Sequence, residues 1–206
     1  MSSPAEQPAY LQPYQRAVRR HGASFSALLW ASQKTQRQRF EALVHVQDPT
    51  GLVVLDLGCG RADLLDFLIE RGLTPKRYIG VEGVAELADA AVEKNRPNAR
   101  ILTADFVREP KRLAVGADVI YCSGALNTID PPEFYLALRH AFAAAGQALV
   151  FNFLSSPLLA GVNYLRWHER RDVVRFAKTL SHDVEKHEGY IDGDCTVAIR
   201  KAGAEA

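Results

Sequence analysis

The sequence predicts an α/β fold with a seven-stranded, mostly parallel sheet, and three observations support this prediction. Short runs rich in Val, Ile and Leu alternate with helical patterns between residues 52 and 153. These runs are apolar almost throughout, as expected for strands that are covered on both faces. Near the end of the chain, two strand-like runs flank an Asp-Gly pair, which is typical of an antiparallel hairpin. We therefore expect successive βαβ units and one antiparallel strand in the C-terminal hairpin.

Length and composition limit the class of protein. The 206 residues suit one domain, and 25 Lys and Arg against 24 Asp and Glu leave no overall charge that favours nucleic acid or an anionic membrane. No apolar run reaches the roughly 18 residues of a membrane span, and the N-terminus lacks the order of a signal peptide. Three scattered cysteines argue against disulfides and zinc, so we expect a cytoplasmic protein without a metal site.

The N-terminal quarter of the chain divides into two predicted parts. Residues 1–14 are polar with three prolines, which predicts a flexible tail. Residues 15–50 are expected to form helices, because Phe40, Leu43 and Val44 have helical spacing within 35–46. Residues 51–201 are the predicted core of a single domain that extends over residues 15–206.

The predicted core elements follow in order. Glycines and polar turns separate the apolar runs, and Asp130 with Glu133 predicts a capping box at the start of one helix, with Pro131 in its first turn. This helix start is favoured over a methyl-acceptor motif in "DPPEFY", which comes too far after the preceding strand. Strands are predicted at 52–57, 77–82, 99–104, 117–123 and 147–153, and helices at 62–71, 85–94, 131–144 and 170–180, before the hairpin.

A glycine-rich turn, "LDLGCGRA", follows the first predicted strand. Gly58 and Gly60 permit positive φ and the close approach of a ligand, and the next helix is expected to point free N–H groups at the same space. A dinucleotide fold has glycine or alanine where Asp63 stands here, and a carboxylate would repel a pyrophosphate. Asp56 also disfavours phosphate but suits a cationic ligand.

Two further acidic residues lie at the ends of the next two predicted strands. Glu82 follows Gly58 by 24 residues, close to the roughly 20-residue spacing of a carboxylate that binds ribose hydroxyls. Asp105 is followed by Phe106, and this pair suits an adenine amine and ring. The pattern therefore predicts a nucleoside site without a pyrophosphate clamp.

The segments "VVLDLGCGRA", "YIGVEG" and "LTADF" together resemble the class I S-adenosylmethionine-dependent methyltransferases, with a likeness that extends over about 52–201. Four further segments, among them "CSGALNT" and "FNFLSS", resemble a bacterial subgroup of that family. The resemblance implies a Rossmann-like seven-stranded sheet with an N-terminal helical lid, and S-adenosylmethionine as the cofactor.

The resemblance also implies a role for each matching residue. The glycine turn would border the methionine end of the cofactor. Glu82, at the end of the second strand, would bind the ribose, and Asp105, at the end of the third, would bind the adenine. Cys59 is interpreted as a small filler beside the ligand, and Arg39 would bind the cofactor carboxylate, since a guanidinium matches a carboxylate bidentately. The implied cofactor-binding residues are Gln36, Arg39, Asp56, Gly58, Cys59, Gly60, Glu82, Gly83, Asp105, Phe106, Ser123 and Gly124.

The acceptor side is predicted from position alone. Asn127, Asn152 and Tyr164 follow strand ends or lie beyond the fifth strand, where a parallel sheet places its ligands, although loop hydrogen bonding is the alternative role. We expect methyl transfer to a small molecule, without an obligate nucleic-acid or membrane partner. The alternatives are a protein or RNA methyltransferase, and a non-catalytic cofactor-binding module, which a site sealed by Trp30 or Tyr164 would favour.

Overall fold

The structure, a computed structural model, describes residues 8–203 and contains the predicted seven-stranded sheet. The strand order is β3-β2-β1-β4-β5-β7-β6, with parallel pairing from β3 to β5 and antiparallel pairing of β7 with both neighbours. The predicted fold class is confirmed. The strands are β1 Val53–Leu57, β2 Arg77–Glu82, β3 Ala99–Thr103, β4 Val119–Cys122, β5 Ala148–Leu154, β6 Val184–His187 and β7 Asp194–Arg200.

Helices cover both faces of the sheet, which explains the apolar strand runs. Adjacent residues of β1 point to opposite faces: Val54 packs in a core with Phe67, whereas Leu55 packs in a second core with Phe134. No described helix is long and apolar enough to cross a membrane. The helices are α1 Gln12–His21, α2 Gln33–Val46, α3 Asp63–Glu70, α4 Ala85–Glu93, α5 Pro131–Ala144 and α6 Arg170–Leu180.

The sheet topology determines where a ligand can bind. The chain adds β2 and β3 on one side of β1 and then returns to place β4 on the other side. The chain passes from β1 to β2 on one side and from β4 to β5 on the other. The loops after β1 and β4 therefore diverge and leave a crevice between them. The predicted glycine turn lies at this crevice.

The N-terminal segment is ordered earlier than predicted. Tyr10 is buried, and α1 begins at Gln12, so residues 8–14 pack on the domain, whereas residues 1–7 lie outside the described residues. Helix α2 begins at Gln33, two residues before the predicted start. There Ser32 and Thr35 form a capping box that the pattern of apolar residues did not reveal.

Helix α5 begins at Pro131 as predicted, but the predicted capping box is wrong. The Asp130 side chain makes no cap hydrogen bond, and its carboxylate instead accepts one from Arg166 Nε at 2.5 Å. Pro131 has no N–H, which removes one donor that a cap would otherwise satisfy. The predicted C-terminal hairpin is present, and Gly193 takes a positive φ of 78° immediately before β7.

Candidate active site

A pocket lies at the carboxyl ends of β1, β2 and β4. The glycine turn and the strand ends form its floor. Its cover consists of residues 10–31, named here the roof, which contribute Tyr10, Tyr14, Leu28 and Trp30 among others. All the predicted cofactor-binding residues line this pocket: Gln36, Arg39, Asp56, Gly58, Cys59, Gly60, Glu82, Gly83, Asp105, Phe106, Ser123 and Gly124.

Glu82 links the glycine turn to β2. Its Oε2 accepts a hydrogen bond from Gly60 N–H and its Oε1 accepts one from Val84 N–H, each at 2.8 Å. Gly58 and Cys59 also donate their N–H groups, both to the carbonyl oxygen of Val81. The amides of residues 58–60 therefore hold the turn in place.

Two buried carboxylates lie in the floor of the pocket. Asp56 accepts a hydrogen bond from Tyr78 Oη at 2.5 Å, and burial raises the pKa of Asp56 to about 7 against the opposing effect of that bond. Burial also raises the pKa of Glu82. Since burial disfavours both charges, a cationic ligand beside them would favour ionisation of each carboxyl group.

Asp105 joins the roof to the end of β3. Its Oδ2 accepts a hydrogen bond from Tyr10 Oη at 2.7 Å, and its Oδ1 accepts the N–H groups of Val107 and Arg108. Asp105 thus caps the local turn and also faces the pocket. Sequence reasoning missed Tyr10, because it lies in the segment that was predicted to be a flexible tail.

Arg39, the residue predicted to bind the cofactor carboxylate, is paired with a carboxylate of the protein itself. Its Nε donates to Asp194 Oδ2 at 2.6 Å, its Nη2 contacts the same oxygen, and its guanidinium lies 5.0 Å from the centre of the Trp30 ring. Asp194 is buried at the start of β7, where burial raises its pKa and Arg39 opposes that rise. No local pattern connects two residues so far apart in sequence.

Two of the three predicted acceptor-side residues do not line the pocket. Asn152 is 1% exposed and bonds within the protein, accepting from Ser123 Oγ and donating to Arg39 O and Thr196 Oγ1. It is therefore a structural residue, which was the alternative considered for it. Tyr164 is half-buried and lies outside the lining, whereas Asn127 is part of the lining.

The roof lies directly on the glycines of the floor. A Cβ atom on Gly60 would be 2.7 Å from Leu28, and one on Gly124 would be 3.0 Å from Trp30. A Cβ on Gly58 would lie 2.2 Å from the Cβ of Ala125, so this position needs glycine for packing as well as for its φ of 66°. These glycines let the roof and the floor approach each other closely.

Comparison with known proteins places this geometry in a class. Residues 54–146 match the family described as "Methyltransferase domain". No curated protein sequence matches the chain. Three solved structures share the fold at 14–15% identity.

The first of these is magnesium protoporphyrin IX methyltransferase from Synechocystis PCC 6803 with bound SAM, which has a TM-score of 0.64 over 97% of this chain and 100% of that one. The DhpI–SAH complex has a TM-score of 0.66 over 92% and 94% of the two chains. An O-methyltransferase family protein from Burkholderia thailandensis has a TM-score of 0.66 over 95% and 67%.

Residues 54–146 thus match a methyltransferase domain, and the chain shares its fold with solved methyltransferases. Two of the solved structures that share this fold contain SAM or SAH. The pocket suits a cationic ligand chemically, because the buried carboxyl groups of Asp56 and Glu82, both with raised pKa values, line it.

Proposed function

We propose that this protein is an S-adenosylmethionine-dependent methyltransferase that transfers the methyl group of this cofactor to a small-molecule acceptor. The observation that supports this best is the shared lining: the glycine turn, both strand-end acids and Asn127 border one pocket under the roof. A covered pocket of this kind suits an acceptor that can be enclosed. An extended polymer would need an open groove or an added recognition surface.

Glu82 is proposed to bind the ribose hydroxyls, because each of its oxygens accepts one backbone N–H and retains a second lone pair. Asp105 is proposed to accept a hydrogen bond from the adenine amine, with Phe106 beside the ring. Tyr10, which donates to Asp105, would then hold that carboxylate in position.

The methionine end of the cofactor is assigned to Asp56, Gly58, Cys59 and Gly60. Backbone atoms of Ser123 and Gly124 complete that side of the pocket. Gln36 donates to Asp63 at 3.3 Å, and it is proposed to close the pocket together with Arg39. Since Asp194 already balances the charge of Arg39, we assign Arg39 to shaping the pocket and to a shared contact with the cofactor carboxylate.

The bound cofactor supplies a methyl group activated on a sulfonium ion. The protein has to align the acceptor with that methyl group and exclude water. Alignment accelerates such a reaction because the two reacting groups are held close together. The roof performs the second task, since Leu28 and Trp30 cover the glycines. The three described cysteines are free and buried, which supports a reducing, cytoplasmic location.

A two-part experiment tests this proposal. Calorimetry should show binding of S-adenosylhomocysteine and no binding of NAD. Methyl-labelled cofactor should then be incubated with a cell extract, and mass spectrometry should find the label in small molecules. Label found only in protein or RNA would overturn the proposed acceptor class, and binding without any transfer would favour the non-catalytic module.

A further inference from the structure

The pocket has two chemically different halves. The half around Glu82 contains the buried carboxylates, whereas the half beyond Gly124 is assembled from the loop after β4, the segment after β5 and the loop before β7. This second half, named here the acceptor half, is mostly aliphatic. Its aliphatic lining residues are Ile129, Leu154, Leu159, Leu165 and Ile191.

Among the described lining residues, the acceptor half has no charged side chain of its own. Among the described lining residues of the whole pocket, the only cationic side chain is Arg39, and the buried carboxylate of Asp194 balances it. Tyr14 lines the pocket beside Thr128, with which it shares a hydrogen bond, and burial raises the pKa of Tyr14, so its hydroxyl stays neutral. An ionised group placed here would lose its hydration without gaining a partner.

Asn127 supplies a polar side chain to this half. The side chain is 6% exposed, and its Oδ1 accepts a hydrogen bond from Leu154 N–H at 3.3 Å. Only the oxygen of the amide can accept that bond, so the orientation of the amide is fixed. Its Nδ2 then has no partner among the described residues, although Asn127 lines the pocket. Because Asn127 lines the pocket, a bound acceptor could accept a hydrogen bond from this N–H donor.

We infer that the acceptor is a neutral, largely apolar molecule that receives a hydrogen bond from Asn127 through an oxygen near its methyl-accepting atom. This inference deepens the proposed function and depends on it. The aliphatic lining would enclose the apolar body of the acceptor, and the amide would orient the reacting end. Asn127 is thus a substrate-orienting residue, and the absence of charge selects against carboxylated or phosphorylated acceptors.

The test uses two matched probes, 2-naphthol and 6-hydroxy-2-naphthoic acid, which differ by one carboxylate. Each is titrated calorimetrically into the protein saturated with S-adenosylhomocysteine at neutral pH. We expect 2-naphthol to bind and the acid to bind at least about tenfold more weakly, because its carboxylate must be desolvated. Equal or tighter binding of the acid, or no binding of 2-naphthol, would overturn the inference.

Three variants locate the binding site. Asn127→Asp keeps an oxygen for Leu154 N–H but replaces the donor with a negative charge, so it should weaken 2-naphthol binding about tenfold or more. Leu159→Glu, in the lining, should also abolish this binding, whereas Leu158→Glu, at a side chain 88% exposed, should not.

Unchanged affinity for 2-naphthol in Asn127→Asp or Leu159→Glu would contradict the assignment of the acceptor half. Loss of binding in Leu158→Glu would also contradict it. If the protein failed to bind S-adenosylhomocysteine in the first place, the proposed function itself would be wrong. The cofactor titration therefore separates failure of the inference from failure of the function.

Discussion

Glu82 has a structural role in addition to the ribose contact proposed for it. The carboxylate is 6% exposed and joins Gly60 to Val84, so it sets the position of the glycine turn relative to β2. A residue at a strand end can thus build the site and bind the ligand at once. Removal of the Glu82 side chain should therefore affect both the position of the glycine turn and the affinity for the ligand.

Replacement of Glu82 by alanine is expected to weaken binding of S-adenosylhomocysteine by about 1–3 kcal/mol, because ribose hydroxyls and two backbone N–H groups lose their acceptor. Calorimetry measures this change. Glu86→Ala, at an exposed position on α4, is the matched control and should leave affinity unchanged. Unchanged affinity in Glu82→Ala would remove Glu82 from the proposed site.

The pKa of Asp56 predicts a pH dependence. Its folded-state pKa of about 7 is higher than the unfolded value, so the stability it contributes is present at low pH and is lost as the pH rises through 7. Binding has the opposite trend, because a cationic cofactor favours the ionised carboxylate. Affinity for S-adenosylmethionine should therefore rise between about pH 6 and pH 8.

Titrations at several pH values measure this rise. Asp56→Asn should flatten the profile, since the amide does not ionise, and neutral adenosine should show little pH dependence in the unaltered protein. A profile that is equally steep in Asp56→Asn would assign the dependence to another group.

At the scale of elements, the connection between α2 and β7 is the least expected feature. Arg39 and Asp194 are both buried and paired, and Tyr190 also donates to Asp194 at 2.5 Å. A buried pair adds little net stability, but removal of one partner leaves an uncompensated charge. The packing of helix α2 and that of the C-terminal hairpin therefore depend on each other.

Arg39→Ala is expected to lower the free energy of unfolding by about 3–5 kcal/mol, because Asp194 then remains buried without its cation. Denaturant unfolding measures this loss. The control is Arg37→Ala on the same helix, whose pair with Glu70 is exposed, and it should cost less than about 1 kcal/mol. A second substitution, Asp194→Asn, should recover part of the loss in the Arg39 variant. Equal effects of the two single arginine variants would refute this account.

The predicted elements agree with the structure where the local sequence pattern determines the secondary structure. The strands β1, β2 and β4 were predicted from short apolar runs rich in Val, Ile and Leu, and residues at their carboxyl ends line the pocket. Asp194 and Tyr10 were missed because the tertiary fold, and no local spacing, brings them to Arg39 and Asp105. Asn152 was misassigned, since its strand-end position did not reveal that Ser123 and Thr196 satisfy it.

At the scale of the whole molecule, the roof and the sheet enclose the pocket together. Leu11, Leu28 and Trp30 lie close to the glycines at three separate loops of the floor. The ligand has to enter between two parts of the chain that are already in contact. Binding should therefore change the dynamics of the roof more than those of distant helices.

Hydrogen exchange measures this coupling. Bound S-adenosylhomocysteine should slow amide exchange in residues 10–31 more than in α6, because the roof gains contacts with the ligand and local opening becomes rarer. Helix α6 contributes no residue to the pocket lining and serves as the internal reference. Equal slowing in both regions would indicate a general stabilisation instead of roof closure.

The position of β7 has a consequence for biosynthesis. This strand is translated after every other strand, yet it inserts between β5 and β6 and carries the partner of Arg39. A ribosome-bound chain that has exposed only β1 to β5 already has the glycine turn and both acids, but not the residue that fixes helix α2. We therefore expect the newborn enzyme to acquire its cofactor only after its last strand has emerged.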